Sequence, residues 1–151
     1  MDVLHAQQLA SSMMISHGLA DWTFAYNRRR RSLGLCRYML RRIELSLPYV
    51  MRNDEASIRD TILHEIAHAL AGQRAGHGAR WKAICRQIGA VPERCDRVAV
   101  MPRGRWVGRC GCCGQEFQRY RRPARRANYS CRTCGPDKGA ITFFLDINQA
   151  A

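Results

Sequence analysis

The sequence predicts an α+β protein in two parts: a small antiparallel sheet with a long helix against it, then a compact module held together by cysteines. Three observations carry that expectation. Short β-prone stretches alternate with helical ones up to about residue 90. Isoleucines recur four apart at Ile58, Ile62 and Ile66, behind the good N-cap residues Asn53 and Asp54. Two CxxCG units, Cys110–Gly114 and Cys131–Gly135, follow a stretch that turns glycine- and proline-rich after Pro92.

Taken in order, residues 2–17 place Leu4, Leu9, Met13 and Ile15 among polar residues, a helix pattern that Gly18 ends. WTFAY at 22–26 is aromatic and β-prone, and the run Arg28 to Arg31 reads as a charged hairpin tip. Two more β-like stretches follow, LGLCRY at 33–38 and IELSLPYV at 43–50, so a small antiparallel sheet is the simplest account. The isoleucine helix runs to Leu70 and stops at Gly72. A second helix spans 79–88, with Trp81, Ile84, Cys85 and Ile88 on one face and Gly89 closing it. Beyond Pro92 come short β-like pieces at 105–109, 116–120 and 141–147. A boundary near 98–104 divides a first domain, 1–100, from a second, 101–151. The second is too small to build much core, so it needs a staple.

The 151 residues suit one compact domain and a small appendage, and 46% hydrophobic content allows a real core. Charge narrows the partners: 25 Lys+Arg face 12 Asp+Glu, a formal net charge of +13. Only Lys82 and Lys138 are lysines, and arginine's planar fork suits phosphate and aromatic faces. Polyanions are therefore favoured, nucleic acid before anionic membrane. No stretch reaches the ~18 apolar residues of a membrane span, so no membrane role is expected. The chain opens Met1-Asp2 without a basic and then apolar run, so no secretory signal is expected. The expected compartment is then reducing: cytoplasm, or nucleus in a eukaryotic host. The eight cysteines read as metal ligands and free thiols before disulfides.

Residues 64–68 read HEIAH. On a helix, positions four apart differ by about 40° around the axis, so His64 and His68 present both imidazoles to one ion. Glu65 lies about 100° round, flanking a metal rather than binding it. Two neutral imidazoles hold Zn²⁺ and leave room for a third ligand and water. The metal acidifies that water and polarises a carbonyl, while a carboxylate moves the proton to the leaving amine. Glu65 is the candidate for that base. The third ligand is open between His77, reached through a glycine-containing turn in GQRAGHG, and the later carboxylate Glu93. The spacing HExxHxxGxxH fails, because Ala71 and Arg74 stand at its next positions.

The helix HEIAHAL, then GHGARW, then a downstream CxxC pair resemble the SprT-like (Spartan) metalloproteases. WTFAYN, the LG before Cys36 and IELS at 43–46 are similar to that family's N-terminal sheet, so the resemblance covers most of residues 20–147. It implies a zincin-like minimal protease domain, catalytic zinc on His64, His68 and His77, Glu65 as catalytic residue, and cleavage of proteins crosslinked to DNA. The chain departs from the family in being short, without a long tail for recruitment motifs.

Cys110-x₂-Cys113 and Cys131-x₂-Cys134, 17 residues apart, have the spacing of a four-thiolate zinc ribbon, a structural second zinc. Cys112 can compete with its neighbours and is read as a spare thiol; Cys36, Cys85 and Cys95 are read as single thiols. Between residues 103 and 134 only Glu116 opposes a run of arginines. Arg105, Arg109, Arg119, Arg121, Arg122, Arg125 and Arg126, interleaved with Tyr120 and Tyr129, have the composition of a single-strand platform. Trp106 and Phe117 serve equally well as the module's own core.

Three functions fit these motifs. The first is a monomeric, DNA-associated zinc endopeptidase acting on proteins bound or crosslinked to single-stranded or junction-containing DNA. The second is an ImmA/IrrE-like regulatory protease that cuts one repressor. The third is a non-catalytic DNA-binding zinc protein, which the intact Glu65 argues against.

Overall fold

The structure, a computed structural model, describes residues 1–93, 99–125 and 127–146. Cys95 and Arg126, and position 147 at the end of the last expected strand, lie outside the described residues. The chain divides into two compact units, Met1–Pro102 and Arg103–Ala151.

The first unit opens with helix α1, Val3–Ser16, whose N-cap Asp2 accepts the His5 amide at 3.0 Å. Its buried face is Ala6, Ala10, Met13 and Met14, while Leu4 and Ile15 are exposed. The helix thus packs with Met13 and Met14 beside two alanines, and Leu9 also rests on the core, so half of the residues that signal it in the sequence face inward and half, Leu4 and Ile15, face outward.

Strands β1 (Thr23–Asn27), β2 (Gly34–Arg37) and β3 (Arg42–Ser46) form one sheet in the order β1-β3-β2. It is mixed, not antiparallel: β1 runs parallel to β3, and only β2 and β3 are antiparallel. The pattern of burial explains the order. All of β3 after Arg42 is buried, as a central strand must be, whereas β2 is half-exposed and suits an edge. The Arg28–Arg31 segment is thus no hairpin tip. It carries the chain past β3, with Asn27 Oδ1 accepting the Arg29 amide at 3.0 Å and Ser46 Oγ donating to the Arg29 carbonyl at 2.6 Å. The expected strand at 43–50 ends early for a related reason. Ser46 caps a short helix α2, Leu47–Val50, and Pro48 presets its first turn.

Helix α3, Glu55–Ala71, begins at Asp54, which accepts the Ser57 amide at 2.9 Å, and ends at Gly72. The φ of +85° at Gly72 turns the chain away from the helix, a conformation that glycine adopts without strain. A 3₁₀ turn at Gln73–Ala75 then leads to α4, Ala79–Ile88. Ile43 and Leu45 of the sheet meet Ile58, Ile62 and Ile66 of α3, with Tyr49 and Trp81, in a continuous buried cluster that reaches from Ala6 to Ala90. Burying each such side chain contributes on the order of 2 kcal/mol, so this unit has a core of its own.

The second unit is a sheet in the order β5-β4-β7-β6, from β4 (Trp106–Cys110), β5 (Glu116–Arg119), β6 (Ser130–Cys131) and β7 (Gly139–Leu145), with a single turn of helix, α5, at Gly135–Lys138. Neither β6 nor α5 is expected from the sequence, because each is too short to show a period. Among its described residues only Val107, Cys110 and Cys131 are buried hydrophobics. Two of those three are metal-ligating types.

Candidate metal centres

Helix α3 brings His64 and His68 to one side, one turn apart, and the turn after Gly72 returns the chain so that His77 faces them. The Nε2 atoms of His64 and His77 are 3.2 Å apart and those of His68 and His77 3.1 Å. Bonds of about 2.0–2.1 Å to a tetrahedral zinc place neighbouring nitrogens about 3.3–3.4 Å apart, so the three rings fit that ion. His77 is thus the residue brought to the two helical histidines. Glu93 lines the same cleft, but it lies outside the group of three whose donor atoms converge.

Burial, and then the neighbouring rings, hold His64 down at about 4; burial and His77 do the same for His68. Both rings are therefore neutral near pH 7, the form that ligates metal. Trp81 fixes them from behind. Its side chain is 0% exposed and its ring centroid lies 4.7 Å from His64, 5.2 Å from His68 and 4.6 Å from His77. Its indole N–H points at the His64 carbonyl, 3.5 Å away. The sequence shows Trp81 only as an apolar residue of the second helix. The overlooked signal is its spacing, four residues after His77 and just inside the helix that follows.

Glu65 reaches across to Gly34 of β2, is 6% exposed, and lines the same cleft as the three imidazoles. Burial pushes its carboxyl up to about 8, against the pull of the Cys36 amide, which donates to it. A dication beside it would favour the carboxylate. Gly34 makes room for it: a Cβ there would stand 2.6 Å from Glu65 Oε1. Cys36 and Tyr38, on and just after β2, line the same cleft; burial and the Glu65 charge raise the Cys36 thiol to about 12. Neither Gly34 nor Tyr38 is a site residue in the sequence reading, because adjacency across a sheet and a helix has no sequence period. The cleft above them holds about 980 Å³ and is lined by β2 on one side and by Asp60, Thr61, His64 and His68 of α3 on the other.

The second centre is Cys110, Cys113, Cys131 and Cys134, whose sulfurs all lie within 4.8 Å of one another. Cys113 and Cys131 Sγ are 3.8 Å apart, the edge expected for a tetrahedron with Zn–S bonds of about 2.3 Å. The Cys112 and Cys113 amides point at Cys110 Sγ from 3.4 and 3.5 Å. Led by the Cys113 amide, these contacts bring the Cys110 thiol down to about 7, and the Cys134 amide lowers Cys131 in the same way. Gly139 closes the back of the cluster: a Cβ there would lie 2.8 Å from Cys134 Cβ and 2.9 Å from Cys131 Cβ.

Two arginines of this unit lie against one aromatic sheet face. By register, Trp106, Phe117, Arg119 and Phe143 share that face. Arg122 lies over Trp106, 5.5 Å from its centroid, and Arg119 over Phe143 at 5.7 Å. Arg105, Arg109, Arg121 and Arg125 are exposed, and Arg109 pairs with Glu116 at 2.8 Å. Tyr129 is half-buried edge-on to Phe143 and accepts the Ala124 amide with its hydroxyl; Tyr120 is half-buried. The structure therefore occupies Tyr129 in the module's own packing and gives Trp106 an arginine across its face.

No solved structure matches this chain. Protein SprT of Pseudomonas fluorescens is 34% identical over 94 residues, which cover 54% of this chain and 57% of that protein. Protein SprT of Pseudomonas aeruginosa is 35% identical over 108 residues, covering 63% of this chain and 64% of the other. The chain thus spans less than two thirds of the length of these curated relatives. The profile of the SprT-like family matches residues 5–100, a stretch that contains β1 to β3, both main helices and all three histidines. On that match, the chain belongs to the SprT-like family.

Proposed function

We infer that the first unit is a zinc endopeptidase directed to proteins on DNA by the arginine-rich second unit. The observation that carries this reading is the convergence of three imidazoles, His64 and His68 held neutral by burial, in a cleft that a buried carboxylate also lines. The ring spacings suit zinc, which when bound supplies a Lewis acid that acidifies water and polarises a carbonyl.

The chain's own residues do the rest. His64, His68 and His77 hold the ion, and Trp81 keeps their rings in place. Glu65 takes the proton of the attacking water at its carboxylate and passes it to the leaving nitrogen. Gly34 gives that carboxylate room within the cleft. Among the described residues β2 pairs only with β3, so its other edge can take an extended peptide as a further strand. Main-chain pairing reads no side chains. Cleavage would then be unselective in sequence, and selectivity would come from DNA held by Arg105, Arg119, Arg121, Arg122 and their neighbours.

The test is proteolysis of a DNA-bound protein with and without single-stranded DNA, comparing the wild type with Glu65→Gln. The expected result is DNA-stimulated, chelator-sensitive cleavage that falls at least about 10³-fold in the variant while zinc stays bound. Cleavage that survives Glu65→Gln would refute the mechanism. Cleavage of one folded partner irrespective of DNA would replace the DNA reading with that of a regulatory protease.

A further inference from the structure

The cleft over the three histidines has a further side. The chain beyond α4 lines it at Val91 and Glu93, and again at Ala99 and Met101. Residues 99–101 belong to no helix or strand, yet one side chain ties them down. The Asn53 carboxamide takes both backbone groups of Val100: Oδ1 accepts the amide at 2.8 Å and Nδ2 donates to the carbonyl at 2.8 Å. A neighbouring strand would offer the same pair of bonds. Nδ2 also donates to the Tyr49 carbonyl at 2.7 Å, and Asn53 is buried, so the carboxamide is itself fixed. Asp60 Oδ1 accepts the Val91 amide at 2.9 Å in a second tie. Ala99 and Met101 rest on the core and line the cleft, whereas Val100 between them is exposed, the alternation of an extended segment.

We propose that Asn53 is a positioning residue for substrate: it holds Ala99 and Met101 as a preformed wall against which a polypeptide lies while it pairs with the outer edge of β2. The proposal rests on the endopeptidase reading. Strand β2 is four residues long, and a strand paired to so short an edge gains little by itself in water. The apolar surface of Met101, Ala99 and Val91 adds side-chain burial to that main-chain pairing. A wall that is already held spares each substrate the cost of ordering it. Contacts of this kind are the same before and during bond cleavage, so they set KM and leave kcat alone.

The experiment measures kcat and KM on the full zinc-loaded chain with a short uncharged fluorogenic peptide, which the arginines of the second unit do not attract. Wild type, Asn53→Ala and Val100→Pro are compared. Val100→Pro removes the amide that Asn53 accepts and leaves α3 and its cap untouched. Both variants should raise KM at least about fivefold, with kcat within about twofold of the wild type. Binding of the same peptide to each protein carrying Glu65→Gln, measured by titration calorimetry, should weaken by the same factor. Unchanged KM and unchanged binding in Val100→Pro would overturn the proposal, whether or not Asn53→Ala folds. So would a fall in kcat alone, which would place the effect of Asn53 on α3 and Glu65 and not on the wall. A wild type that cleaves nothing would refute the peptidase reading instead, and the binding titrations would still decide the role of the wall.

Discussion

The two units solve the problem of holding a metal in opposite ways. In the first, the His64, His68 and His77 rings sit on a scaffold that is complete without the ion: a buried cluster runs from Ala6 to Ala90, and Trp81 stands behind the rings. In the second, two of the three buried hydrophobics among the described residues are Cys110 and Cys131 themselves, so the candidate ligands make up most of the core. On the proposed function, the difference would separate a metal used for chemistry from a metal used for folding. A catalytic ion needs a site that exists before it arrives, with an open coordination position. A structural ion can be closed in on four sides and supply the stability that a small unit lacks.

Removing zinc is the largest test of that contrast. A structural zinc contributes on the order of 10–16 kcal/mol at pH 7, far more than a unit this small gains from burial. Chelation, or Cys131→Ser, should therefore unfold residues 103–146, seen as rapid proteolysis of that segment and collapse of its amide exchange protection. The first unit should keep its protection under the same conditions. Joint unfolding of both would show that the first core also leans on its metal.

Trp81→Ala attacks the scaffold instead. Removing a fully buried tryptophan costs about 3–5 kcal/mol. It also removes the surface against which all three imidazoles rest. Denaturant melts should show that loss in the first unit alone, and zinc affinity at the histidines should fall with it. Unchanged affinity would mean that α3 and the turn at Gly72 position the rings without help.

Gly34→Ala separates chemistry from stability. The new Cβ would overlap Glu65 Oε1, and the carboxylate, being the end of a side chain, moves more easily than the strand. Misplacing a catalytic group by about 1 Å costs on the order of 10²-fold in rate. Peptidase activity should fall by that amount with zinc still bound and the melting temperature little changed. Full activity would place the working position of Glu65 elsewhere.

These tests also mark what the sequence discloses. HEIAH and the isoleucine spacing reveal α3, the pair of histidines it presents together and its buried side, because a helix repeats every 3.6 residues and both signals ride on that period. The paired CxxCG units reveal the thiol cluster through ligand spacing alone. The order of the strands is not legible, since placing β3 between β1 and β2 depends on which strand buries both faces, and four or five residues hold too little pattern to say. The same limit hides Gly34 and Trp81. Each matters through what it touches across the fold, not through its neighbours in the chain.

The smallest expected effect probes the clamp between α2 and α3. Tyr49 is fully buried, and its hydroxyl lies 3.0 Å from the Ser57 carbonyl and 2.9 Å from Thr61 Oγ1. Thr61 also reaches the Ser57 carbonyl, at 3.1 Å. Tyr49→Phe removes one hydroxyl but strands no partner, because Thr61 can still donate to Ser57. The cost should then be near the net value of a single hydrogen bond, about 1 kcal/mol, and not the larger penalty of an unsatisfied buried group. Thr61 lies one turn before Glu65, so a clamp that also aimed the catalytic carboxylate would lower activity in proportion. A first unit that melts earlier yet cleaves and binds zinc as before would show that its metal site rests on Trp81 and the β2 wall, independently of the α2 side of the core.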